Sequence, residues 1–126
     1  MKNKSEIIEE SITQMVNLLQ EFNFQGCNRV SRDLVTVSKF LDDTDGVFAA
    51  EVLAAAFSEI DDLVGCYEVD ASRLSETRDE VQKRTAALSH SLIENEKEKI
   101  YAQLSGIANA VTDFRISTWY TSKPKT

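Results

Sequence analysis

Glycine and proline are scarce in this chain, with four glycines and a single proline, Pro124, in 126 residues. A fold of many strands needs frequent tight turns, and tight turns draw on both residues. Their shortage excludes an all-β architecture and leaves helices joined by a few connections. Cysteine is also rare. Cys27 and Cys66 are too few for a disulfide framework and stand at no metal-ligand spacing. Two small thiols packed at helix ends is the simpler reading, and a bridge formed by oxidation the sharper one. The one histidine, His90, excludes any metal site that needs two. The glycines are isolated, so there is no phosphate loop. The acidic pairs Glu9-Glu10, Asp42-Asp43 and Asp61-Asp62 lack the Glu-x-x-His spacing of a di-iron bundle. No cofactor and no metal are expected.

Basic residues are missing from a long central stretch. Between Asp42 and Asp70 there are nine acids and no lysine or arginine, within a chain of net charge −7. Such a face repels a phosphate backbone, so no nucleic-acid partner is expected. It suits solubility, or attraction to a basic protein. Long apolar runs are missing too. The richest stretch, residues 45–64, is interrupted by Glu51, well short of the roughly 20 residues that a membrane span needs. No membrane partner is expected. The N-terminal residues lead into a charged amphipathic segment and not an apolar leader core, which makes the cytoplasm the expected compartment.

What is present is helical spacing, and residues 45–64 organise the rest. At about 100° per residue, Ala49, Val52, Leu53, Ala56, Phe57, Ile60, Leu63 and Val64 form one broad stripe. Glu51, Ser58, Glu59, Asp61 and Asp62 fall on the other side. A stripe this wide should touch more than one neighbour, as the central helix of a bundle would. Ala54 and Ala55 lie on the polar side, which points to a second contact there. Asp45 is the expected N-cap and Gly65 the expected left-handed stop.

Three further segments carry cleaner seams. Ile8, Ile12, Met15, Leu19 and Phe22 mark a helix over residues 5–22, with Ser5 as its cap. Cys27, Val30, Leu34, Val37 and Leu41 mark one over 27–41, after a turn at 23–26. Ile100, Leu104, Ile107, Val111 and Phe114 mark one over 96–116. Gly106 inside the last suggests a tight crossing. A fourth helix over 71–93, capped by Asp70 or Ser72, is more polar, with Thr77 and Thr85 on its seam. So polar a helix should be peripheral, projecting, or part of an interface. The polar run 94–99 predicts a break near Asn95. The fold class is therefore all-α: an antiparallel bundle of four to five helices, one domain over 1–120 with a flexible tail at 121–126. The turn at 41–46 does not meet the calcium-loop pattern. Setting Gly46 at the glycine position puts Leu41 and Val52 where ligands must be.

One pattern bears on catalysis. Arg84 and His90 stand six apart in Arg84-Thr85-Ala86-Ala87-Leu88-Ser89-His90. This resembles the Arg-x(4–6)-His signature of HEPN ribonucleases, small helical bundles that cut RNA as dimers. The resemblance implies a general acid or base at His90 and a phosphate-steadying guanidinium at Arg84. Thr85 departs from the asparagine common after that arginine, and the net acidity opposes RNA. A solvated surface histidine is the plainer account.

The expectation is thus a non-enzymatic helical interaction module of the adaptor, assembly-chaperone, immunity or inhibitor type. Its partner is a protein, favourably a basic one, and it self-associates as a homo-oligomer. The expected surface comprises Glu51, Glu59, Asp61 and Asp62 of the acidic belt, Thr77 and Thr85 of the polar helix, and the aromatics Trp119 and Tyr120. A small-molecule-binding bundle is the alternative, and the ribonuclease a more distant one.

Overall fold

The computed structural model describes residues 2–126. Five helices follow one another: α1 (Lys4–Gln20), α2 (Phe24–Phe40), α3 (Thr44–Cys66), α4 (Ala71–Ile93) and α5 (Lys97–Thr121). They form a closed ring in the order α1, α2, α3, α5, α4 and back to α1. Neighbours run antiparallel except α3 and α5. Those two are parallel: Phe48 meets Tyr101 near both N-termini, and Glu59 meets Arg115 further along.

Each helix turns a strip of apolar side chains inward at three- and four-residue steps. Ile8, Ile12, Met15 and Leu19 are buried on α1; Ile100, Leu104, Ile107, Val111 and Phe114 on α5. With the buried residues of the other helices they make one continuous core. Phe57 and Phe114 are its largest fully buried side chains, and truncating either to alanine costs about 3–5 kcal/mol by cavity formation. α3 touches α2 and α5, as its wide stripe requires, but it is a member of the ring and is not encircled.

Three of the four connections are the same device. They comprise Glu21-Phe22-Asn23, Leu41-Asp42-Asp43 and Glu94-Asn95-Glu96. The middle residue is left-handed, with φ 57° at Phe22, 54° at Asp42 and 55° at Asn95. The third residue sends its N–H back to close the helix just ended: Asn23 to Leu18 O, Asp43 to Ser38 O and Glu96 to Ser91 O, each at 2.9 Å. This is a Schellman closure. The same third residue opens the next helix. Asn23 accepts from Gly26 N at 2.8 Å and Asp43 from Gly46 N at 3.2 Å. At Asn23 and Asp43 one residue thus ends one helix with its backbone N–H and caps the next with its side chain, while Glu96 precedes α5 without a side-chain cap bond; each connection is left with three linking residues.

That economy moves several expected boundaries. α2 starts at Phe24 and not Cys27, because Asn23 caps it and Phe24 is buried. Asp43, not Asp45, caps α3, and Asn3, not Ser5, caps α1. Gly65 is no left-handed stop: α3 runs through it to Cys66 and ends where Tyr67 becomes extended. The break at Asn95 is present, and Asp70 is the cap of α4.

The fourth connection, Tyr67 to Asp70, carries the chain from α3 past the end of α5 to α4. The C-terminal tail meets it there. Glu68 N donates to Lys123 O, Lys125 N donates to Cys66 O, and Lys125 Nζ donates to Val64 O at 2.9 Å. The tail expected to fray is paired, because α3 ends without a basic residue in its last turn and its open carbonyls need donors.

Candidate docking groove between α3 and α5

The expected surface residues divide into two groups. Glu51, Glu59, Asp61 and Asp62 lie on α3, and Trp119 and Tyr120 on α5, so the ring brings acids and aromatics onto adjacent helices. Asp61 is turned about 100° from Asp62 around α3, toward the α2 side. Thr77 and Thr85 do not belong with them. α4 is neither peripheral nor projecting; it is wedged between α1 and α5, and its seam threonines are interior. They fill seam positions where a methyl packs well and the hydroxyl is short. Their placement on an interaction surface is corrected accordingly.

Between α3 and α5 the outer surface sinks into two adjoining hollows. One, of about 280 Å³, is lined by Phe48, Val52, Tyr101, Leu104, Ser105 and Ala108. The next, of about 220 Å³, shares Val52 and Ala108 and adds Ala55, Ala56, Glu59, Val111 and Thr112. Small residues make the trough. Ala55 and Ala56 on α3 face Ser105 and Ala108 on α5, so no long side chain fills the valley. Its ends are marked. Phe48 and Tyr101 meet edge to face, centroids 5.6 Å apart, and stay 46% and 50% exposed. At the other end Arg115 Nη1 donates to Glu59 Oε1, and its guanidinium sits 5.4 Å from the ring centroid of Trp119. Trp119 is 55% exposed.

Phe48, Tyr101 and the alanine floor were not among the expected surface residues. Phe48 and Tyr101 sit one position off their seams, beside Ala49 and Ile100, and exposed aromatics of this kind look like core by composition. The one signal available was Ala55 on the polar side of its helix, where a second contact was expected.

Arg84 and His90 have separate surroundings. Arg84 Nε donates to Glu80 Oε1 at 2.6 Å, and its guanidinium covers Gly106. Gly106 thus marks a side-chain seat and not the helix crossing its position suggested. His90 is well exposed, with Nε2 3.5 Å from Glu96 Oε1 at the α4–α5 turn. A hydrogen bond from Lys99, helped by the charges of Lys99 and His90, holds the Glu96 carboxyl below the ordinary carboxylate range. Among the described residues, no three His, Cys, Asp or Glu side chains converge as metal ligands, and no helix is long and apolar enough to cross a membrane. The basic residues of α2, Arg29, Arg32 and Lys39, are exposed and make no ion pair with α3. Comparison with protein-family models, with curated proteins and with solved structures gives no match. The functional reading therefore rests on this chain's own residues.

Proposed function

We propose that the protein is a non-enzymatic interaction module that docks another protein on its α3–α5 face. One observation carries the reading. Of the eight large apolar side chains exposed among the described residues, Phe48 and Tyr101 line the trough and Trp119 stands beside Arg115 beyond its far end; Ile116 and Tyr120 are also on α5 but line neither hollow. Scattered apolar side chains are ordinary; a cluster around a trough is what interaction sites present. Aromatic residues at both ends of the trough fit the anchors that dominate binding energy at interfaces. The α4-based route to self-association loses its support, since Thr77 and Thr85 are interior. The exposed thiol of Cys66 suits a reducing compartment, and the cytoplasm is the proposed location.

The test is a paired capture from nuclease-treated source lysate, with the parent chain and with the Phe48→Ser/Trp119→Ser variant as baits. The parent should retain a stoichiometric protein that the variant loses, with both baits equally helical. Equal capture by the two would remove this face from the function.

A further inference from the structure

We infer that the α3–α5 groove takes one amphipathic helix of a partner protein, with basic residues along the flank that lies over α3. The inference rests on the docking reading above and adds what the occupant is.

Length comes first. The groove runs from Phe48 to Glu59 on α3 and from Tyr101 to Thr112 on α5. At about 1.5 Å per residue each wall is roughly 16 Å long, or three helical turns. A helix offers apolar side chains at i, i+4 and i+7, about 6 and 10.5 Å apart along its axis. Two adjoining hollows that share Val52 and Ala108 match knobs at that spacing. The alanine and serine walls let a helix backbone settle close, at the short end of the roughly 8–10 Å interaxial range. There is no sheet edge here to which an extended peptide could add.

Charge selects among helices. Glu51, Ser58 and Asp62 flank Ala55 along the outer lip of α3, and all three are exposed. α3 has no basic residue. α5 carries three basic residues: Lys99 pairs with Glu96, Arg115 is held by Glu59, and Lys97 is exposed one turn before Tyr101, outside the two hollows. Among the residues lining the two hollows the single charged side chain is Glu59, already paired with Arg115. Glu51 and Asp62 on the lip make no ion pair among the described residues, and Lys97 stands beyond the Tyr101 end, so the lip alongside the hollows is acidic and favours lysine or arginine on the incoming helix. A second copy of this chain is a poor occupant. Its exposed basic face on α2 presents Arg29, Arg32 and Lys39 with Asp33 and Thr36 between them, and Phe40 is the single exposed apolar knob there, not a series at i, i+4 and i+7. The net charge of −7 opposes pairing as well.

Trp119 is the single tryptophan and stands at the groove's end, so its emission reports occupancy. Three synthetic peptides of roughly 18 residues would be titrated into the full chain, with calorimetry as a second readout. Two share a leucine stripe, one flanked by lysine and one by glutamate; the third keeps the lysines and scrambles the stripe. The lysine-flanked amphipathic peptide should bind roughly tenfold or more tighter than the other two, and added salt should shrink its lead over the glutamate-flanked one. The Glu51→Lys/Asp62→Lys variant should reverse the preference between the two striped peptides, and Ala108→Glu should abolish binding. No binding, or equal binding by all three, would overturn the inference. A dimer in sedimentation that Ala108→Glu dissolves would also overturn it, in favour of a second copy. If the peptides fail while the lysate partner is still lost from Phe48→Ser/Trp119→Ser, the docking reading survives and only the basic-helix occupant falls.

Discussion

Arg84 of α4 lies over Gly106 of α5, in the space that a Cβ at position 106 would need. Its guanidinium is steered there by Glu80 at 2.6 Å and Gln103 at 3.4 Å. A glycine inside a helix costs about 1 kcal/mol against alanine. The seat for Arg84 explains why one is found here.

The pair should therefore be energetically coupled. Gly106→Ala in an Arg84→Ala background should stabilise the fold by about 1 kcal/mol, the full helix-propensity gain. In the parent the new methyl must displace the guanidinium from Glu80 and Gln103, and the gain should shrink by about 0.5 kcal/mol. Urea denaturation of the four proteins in the cycle measures this. Identical effects in the two backgrounds would mean that Arg84 does not hold that space in solution.

Thr85 gives a second test, of opposite sign to the surface reading. Its side chain is wholly buried and its Oγ1 has no hydrogen-bond partner. Thr85→Val keeps the shape and removes the stranded hydroxyl, and should add about 1 kcal/mol, raising Tm by about 4 °C. Thr85→Glu should unfold the chain, because a carboxylate would enter the core with no partner. A folded, helical Thr85→Glu protein with altered mass would restore α4 as an interface. Scanning calorimetry and sedimentation decide between them.

The seams of α1 and α5 were legible because their buried positions coincide with apolar residue types. The break at Asn95 was legible because six residues, 94–99, supply nothing to bury. Connection geometry was not. Asn23 and Asp43 each serve two helices, and nothing in a local pattern distinguishes such a residue from a loop asparagine or a second capping candidate such as Asp45. Thr77 and Thr85 misled because period and residue type disagreed, and the period was right. The groove was hidden for a different reason. It needs α3 beside α5, a neighbour relation set by the order of helices around the ring, and seams alone carry no information about that order.

Two of the three left-handed residues, Asp42 and Phe22, make a graded prediction. Asp42 is exposed and no packing holds its side chain in place, so Asp42→Gly removes backbone strain and should stabilise by about 0.5–1 kcal/mol. Phe22 has the same φ but lies 4.4 Å under the Arg78 guanidinium and edge-on to Phe24. Phe22→Gly should gain less than Asp42→Gly, or lose stability outright, since the relief is offset by lost aromatic contacts. Thermal melts of the two variants against the parent are sufficient. A larger gain at Phe22 would show that its ring contributes nothing to the α1–α4 junction.

The two thiols should behave oppositely. Cys66 is exposed, and Cys27 is buried with Sγ 3.5 Å from Met15 O. An aromatic disulfide reagent should modify one thiol quickly in the native protein and the second only on unfolding. Burial also pushes the Cys27 thiol up to about 12 from an ordinary 9.0. The native state thus keeps a proton that the unfolded chain releases. Below pH 9 this contribution is intact; as pH climbs from 9 toward 12 it is lost, by at most about 1.4 kcal/mol per pH unit. Cys27→Ala has no thiol to ionise, so its alkaline limb should fall less steeply, and the parent's advantage over it should narrow above pH 9. Parallel limbs, together with two fast native thiols, would place Cys27 in water and open the junction between α1 and α2 that its sulfur closes.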